Sequence, residues 1–205
     1  MPNDILPSLE LPATGPIFGP LVAAAPLNEL GPGRAVAAAA KKLQSLSLDE
    51  AFAPHRIVDA EMAEACLAGL WLMYDHLDES HTISQSIETP TGSYWHAILH
   101  RREGDFSNSK YWFHRVAAHP VFGPLAEAAR QIASQPSFTD GEPGRNAVGL
   151  FGNSAGGGWN PFRFVDLCEA QLRSRSPIEQ PCRLIQQQEC RLLFEFCYRR
   201  AIELS

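Results

Sequence analysis

The chain has no apolar run long enough to cross a membrane. A span needs about 20 such residues, and the best stretch, around Cys66 to Tyr74, is short and preceded by Glu61 and Glu64. Positive charge is also scarce: 17 Lys and Arg stand against 23 Asp and Glu, a net charge of −6. That balance argues against wholesale binding to a phosphate backbone, which depends on neutralising phosphates, so neither nucleic acid nor a membrane is expected as a partner. The five cysteines form no CxxC pair and sit mostly in apolar helical contexts, which reads as buried reduced thiols. The opening MPNDILPSLELP lacks the basic and uninterrupted apolar regions of a signal peptide, and a reducing cytoplasm is the expected location.

Two further absences exclude chemistry. No Gly-Lys-Ser/Thr terminus follows a glycine loop, so an ordinary nucleotide P-loop is ruled out. Gly152-Asn153-Ser154-Ala155-Gly156 matches a nucleophile elbow literally. That elbow needs a strand before it and a helix directly after it. A glycine run to Gly158 follows instead, and the segment reads as a loop. No segment alternates polar and apolar residues as a strand would.

What is present is helical periodicity. The expectation is an all-α, irregular multi-helix bundle with a proline-rich extended N-terminal arm over residues 1–33, a single helical domain over 34–205, and a glycine-rich loop. With 45% hydrophobic and 20% charged residues, the chain can bury one core. The arm carries Pro2, Pro7, Pro12, Pro16, Pro20, Pro26 and Pro32, which disfavours a long helix. Its Ile5, Leu9, Ile17, Phe18, Leu21 and Val22 must still lie on something, either the same chain or the neighbour in a homodimer.

Arg34 to Leu46 is alanine-rich and helix-prone, and Ser47 with Glu50 has capping-box spacing. Asp59 caps a helix whose Met62, Cys66, Leu67, Leu70, Trp71, Met73, Tyr74 and Leu77 make it apolar nearly all round, the spine of the fold. Further helices are expected between Val121 and Gln135, from Asn160-Pro161, and from Pro181 to Leu204.

The densest mixture of rings and ionisable groups runs from Thr89 to Pro120. Thr89 and Pro90 start a helix, Gly104-Asp105 breaks it, and Asp105 caps a second helix ending near His119 and Pro120. His96, His100 and Glu103 stack on one side of the first helix; Asn108, Trp112, Arg115 and His119 share a stripe on the second. The spine ends in Asp75, His76, Asp78, Glu79, His81 and Gln85, and the short turn before Thr89 brings these against the His96 face. The candidate site is therefore a cleft lined by His81, Gln85, His96, His100, Arg101, Glu103, Asn108 and Trp112, with the Gly141 to Gly158 loop as cover.

Three readings of this cleft compete. His96 and His100 have the i, i+4 spacing of helical zinc pairs, with Glu79, His81 or Glu103 as a third ligand for a divalent metal. Neither H-E-x-x-H nor the di-iron Glu-x-x-His order is present. The bland reading is a structural network, with Arg101 or Arg102 paired to Glu103, Asp105 or Asp78. The third, preferred on the sequence, is a binding cleft for a small anionic molecule or a peptide segment of a partner, with a metalloenzyme such as a metal-dependent hydrolase as the alternative.

From Ala97 to Pro120 the hairpin resembles one tetratricopeptide repeat, with Ala97, the Gly104-Asp105 turn, Phe113 and a closing proline; it departs by having Val116 for a small residue and Pro120 one position early, and there is no second copy at the expected period. The phrase GSYWHAILHRREGDFSNSKYWFHRVAAHPVF, with SHTISQSIETPTG before it and WNPFRFVDLCE after it, resembles an uncharacterised family of bacterial and fungal proteins. That resemblance implies a helical fold and no mechanism.

Overall fold

The computed structural model describes residues 14–135, 138, 158–174 and 176–202, and among them every long regular element is an α-helix. In chain order these are α1 (Gly15–Ala24), α2 (Ala37–Gln44), α3 (Leu48–Phe52), α4 (Ala60–Met73), α5 (Leu77–Ser84), α6 (Pro90–Glu103), α7 (Phe106–Val116), α8 (Phe122–Ala133), α9 (Pro161–Ser174) and α10 (Glu179–Ala201). The all-α expectation holds. No helix among the described residues is long and apolar enough to cross a membrane.

Two helices form the centre. α4 starts where the Asp59 carboxylate accepts from the Met62 amide at 3.1 Å, and it buries residues from Met62 to Met73 with few gaps. α6 starts where the Thr89 hydroxyl accepts from the Gly92 amide at 3.1 Å, with Pro90 pre-set for the first turn. It buries every residue from Thr91 to Arg102, so it is more enclosed than the helix that the sequence marks as the spine. The two approach closely because Gly69 has no side chain: a Cβ there would lie 2.6 Å from Cζ2 of Trp95. α10 lies against α4 and α8, and its Cys190, Leu193, Phe194 and Cys197 join one hydrophobic cluster with Phe18, Phe52, Leu70 and Trp95.

The polar face expected on α6 is partly internal. Arg101 pairs with Glu189 of α10, and Tyr94 donates to the other oxygen of that carboxylate at 2.9 Å. Arg102 pairs with Asp75 and donates through Nε to the Gly31 carbonyl at 3.2 Å. Both guanidiniums are almost fully buried, and their partners differ from the Glu103, Asp105 and Asp78 suggested by sequence proximity. Burial, the largest influence on each guanidinium, lowers both; for Arg101 it is outweighed by Glu189 together with Cys168 and Cys190, so its pKa is raised, whereas Arg102 is lowered because burial exceeds what Asp75 returns.

The N-terminal segment departs from expectation over its described part. Gly15–Ala24 is helical rather than extended, even with Pro20 inside it. Packing is the reason. Phe18 is edge-on to Phe52 at 5.0 Å and to Phe194 at 5.4 Å, and Leu21 and Val22 are buried. That burial outweighs the one backbone hydrogen bond Pro20 removes. The following residues are held by α10: Arg183 donates to the carbonyls of Asn28 (2.8 Å) and Leu27 (2.9 Å), and Gln186 to that of Glu29 (3.0 Å). Residues 14–33 thus pack on their own chain, while Ile5 and Leu9 lie outside the described residues. A second difference is at Ser47, whose hydroxyl makes no cap to α3.

Candidate functional site

The spine does not continue into the polar stretch as one helix. α4 stops at Met73, and Asp75 takes a φ of 62°, an orientation held by its buried partner Arg102 and by Asn28, which donates to it at 2.9 Å. The chain turns there, and α5 restarts at Leu77 beside α6. His81, in the middle of α5, is set against two consecutive turns of α6. Its ring centroid is 4.7 Å from that of His96 and 5.3 Å from that of His100, both edge-on. His96 and His100 are 4.6 Å apart. One nitrogen from each of the three rings falls within 4.8 Å of the other two.

The antiparallel hairpin α6–α7 supplies the walls. Gly104, at φ 83°, allows the tight exit from α6, and the Asp105 carboxylate caps α7 by accepting from the Asn108 amide at 3.1 Å. This cap and the neighbouring Ser107 hydrogen bond hold Asp105 below the usual carboxylate range. Asn108 then faces His100, its side-chain nitrogen 3.0 Å from Nε2 and 3.4 Å from Nδ1. One turn on, Trp112 stacks on His96. Arg115 covers Trp112 in turn, its Cζ 5.2 Å from the ring centroid.

Glu103 orders the group. One carboxylate oxygen is 2.9 Å from Nδ1 of His100 and the other is 3.9 Å from Nδ1 of His81. A carboxylate facing Nδ1 fixes the proton there and leaves Nε2 with its lone pair. Burial, with His100 and His81 adding to it, pushes the pKa of His96 down to about 3. Burial also lowers His100, partly opposed by Glu103. His96 keeps a buried Nδ1 with no hydrogen-bond partner among the described residues.

The other candidates are placed elsewhere. Glu79 faces His76 at 3.7 Å and is not part of the three-histidine group. Gln85 is exposed just past the end of α5, its backbone amide donating to the His81 carbonyl at 3.0 Å. Arg101 points away from the cleft into the Glu189 pair, with its Cζ 4.7 Å over the Phe164 ring. His119 leaves the α7 stripe because α7 ends at Val116. It bonds Thr91 at 3.3 Å, accepts from the Val121 amide at 3.3 Å, and burial lowers its pKa to about 4. The Gly141 to Gly158 loop and Ser154 lie essentially outside the described residues, only Gly158 being described.

Sequence reasoning put Glu103 on the face of His96 and His100 but did not anticipate its approach to His81 of α5, or that Glu189 takes Arg101. The signal for Glu189 was a polar set, Gln186, Gln188 and Glu189, falling inside an otherwise apolar helix face. Burial pushes the thiols of Cys168 and Cys190 up to about 12 and raises Cys66 and Cys182, so none of these four is poised as a thiolate nucleophile. Comparison with known proteins gave no match: no protein-family model, no curated protein and no solved structure matches the chain.

Proposed function

We propose that the protein binds a divalent transition metal through His81, His96 and His100, with zinc the best fit to an all-imidazole donor set. The observation that carries this reading is the convergence of one nitrogen from each ring within 4.8 Å. Zinc bonded at about 2.1 Å to three nitrogens would bring them to roughly 3.4 Å of one another, an adjustment of about an ångström. Glu103 supports it as the outer carboxylate that orients His100 by a hydrogen bond and lies 3.9 Å from Nδ1 of His81. Three protein ligands leave a fourth position open to water, the arrangement of zinc centres that activate water for hydrolysis.

The preference for a metal-free anion cleft weakens on the charges. Glu189 and Asp75 neutralise Arg101 and Arg102 inside the protein. Burial disfavours the cationic forms of His96 and His100. One observation keeps that second reading: Arg115 lies over Trp112 with no acidic partner among the described residues, a surface suited to an acidic peptide segment.

Metal analysis of the purified full-length protein after dialysis against zinc decides between them. One equivalent is expected in the wild type, with loss of at least tenfold in affinity for His81→Ala, His96→Ala or His100→Ala and none for the exposed His114→Ala. Zinc content near zero, or unchanged in all three variants, would overturn the metal reading. The buried, unlinked cysteines support a cytoplasmic location. Self-association is not needed to cover residues 14–33, so a homodimer would rest on residues 1–13, and light scattering of a chain lacking them tests it.

A further inference from the structure

His96 and His100 are only 3% and 5% exposed, while the side chain of His81 is 36% exposed. An ion arriving from solvent meets His81 first, and its other two ligands are shut behind covering groups. One cover is α7, through Trp112. That cover is fixed: Phe113 and Val116 are buried, and the Ser109 hydroxyl, also buried, donates to the Ala97 carbonyl of α6 at 2.8 Å. The other cover is α5, whose His81 ring stands edge-on to both buried imidazoles.

α5 is held at its ends and little between them. Before it, His76 Nε2 lies 3.2 Å from the Val36 carbonyl, and Asp75 is paired with Arg102. After it, Ile87 is buried against the first turn of α6, so close that a Cβ on Gly92 would lie 2.6 Å from the Cβ of Ile87. Of the eight residues of α5 only Ser80 and Ser84 are buried, with Leu77 and Ile83 partly so. The Ser80 hydroxyl has no hydrogen-bond partner among the described residues, and that of Ser84 reaches only the His81 carbonyl of its own helix, at 3.4 Å. The Glu103 oxygen nearest His81 is 3.9 Å from Nδ1, beyond hydrogen-bond reach. A helix this short does not stand on propensity alone, and a buried hydroxyl without a partner disfavours the docked position. Local opening of the wall therefore falls on α5.

On the metal reading above, we propose that α5 is the door of the site: it opens between its two anchors to admit the ion, and the bound ion latches it by tying His81 to His96 and His100. Bonding draws the three nitrogens from within 4.8 Å to roughly 3.4 Å of one another. His96 and His100 ride on α6, which is buried from Thr91 to Arg102, so it is α5 that closes the distance.

Amide hydrogen exchange read by mass spectrometry on the full-length protein, with and without one equivalent of zinc, tests the latch. Zinc is expected to slow exchange in α5 by at least about tenfold and in α6 by no more than about twofold. Thr82→Pro tests the door: this exposed position in the middle of α5 ligates nothing, and proline there breaks the turn. Cobalt(II), followed by its visible bands, is expected to enter Thr82→Pro at least about tenfold faster than the wild type. Zinc bound at one equivalent with α5 exchange unchanged, or with equal slowing in α4, α6 and α10, would overturn the proposal while leaving the metal site standing. So would cobalt uptake no faster in Thr82→Pro. The wild-type exchange comparison does not depend on the variant folding. Absence of any zinc uptake would overturn both readings.

Discussion

The imidazole of His96 lies face to face with the indole of Trp112, centroids 4.0 Å apart and planes 15° apart. A quenching metal on the histidine cluster therefore sits next to this indole. Adding copper or cobalt is expected to quench part of the tryptophan fluorescence, and Trp112→Phe should remove most of that quench while keeping metal stoichiometry. Equal quenching in Trp112→Phe would place the metal elsewhere.

The Arg101–Glu189 pair is buried from both sides. Glu189→Gln leaves a buried guanidinium without its counter-charge, and breaking such a pair costs about 3–5 kcal/mol. Urea unfolding should show that loss. The double variant Arg101→Met/Glu189→Leu should be more stable than either single variant, because two well-packed apolar groups leave no uncompensated charge.

Acid should weaken the fold before its carboxylates titrate. His96 and His119 have folded pKa values of about 3 and about 4, both below the ordinary 6.5. Between pH 6.5 and those values the unfolded chain binds protons that the folded chain does not, so stability falls as pH drops through this window. His100 acts in the same direction. Glu195, raised by burial, opposes it above its ordinary 4.5. Urea midpoints at pH 7.5 and pH 5 should differ, the acid value being lower, and His119→Gln should reduce the difference. A midpoint that is flat or rises toward pH 5 contradicts this assignment.

Gly69→Ala tests the helix contact. The new Cβ would meet the Trp95 indole at 2.6 Å, and Trp95 is fully enclosed, so the ring has nowhere to yield. A loss of about 1–3 kcal/mol is expected, read as a lower thermal midpoint without change of helical content.

Helix ends and the histidine face were legible because their causes are local. Thr89, Pro90, Gly104 and Asp105 act on amides within a turn of themselves. The i, i+4 spacing of His96 and His100 fixes their shared face wherever α6 is placed. His81 joined them through a short connection between neighbouring helices. Arg101 was misread for the opposite reason: its partner is 88 residues away, and no local pattern joins two such positions. The break at Asp75 was hidden in the same way, because what holds it is Arg102, 27 residues further on. The helix at Gly15–Ala24 defied its proline content because Phe18, Leu21 and Val22 gain more from distant core residues than Pro20 loses locally.

The grip of α10 on residues 25–29 also sets a timetable. Arg183 and Gln186 reach carbonyls 155 to 157 positions earlier in the chain. At synthesis rates of about 5–20 residues per second, those carbonyls wait on the order of 10 to 30 s before their donors are made. A nascent chain halted before Arg183 would hold α1 without its clasp, so protease sensitivity near Pro26 in stalled chains should vanish only when α10 emerges.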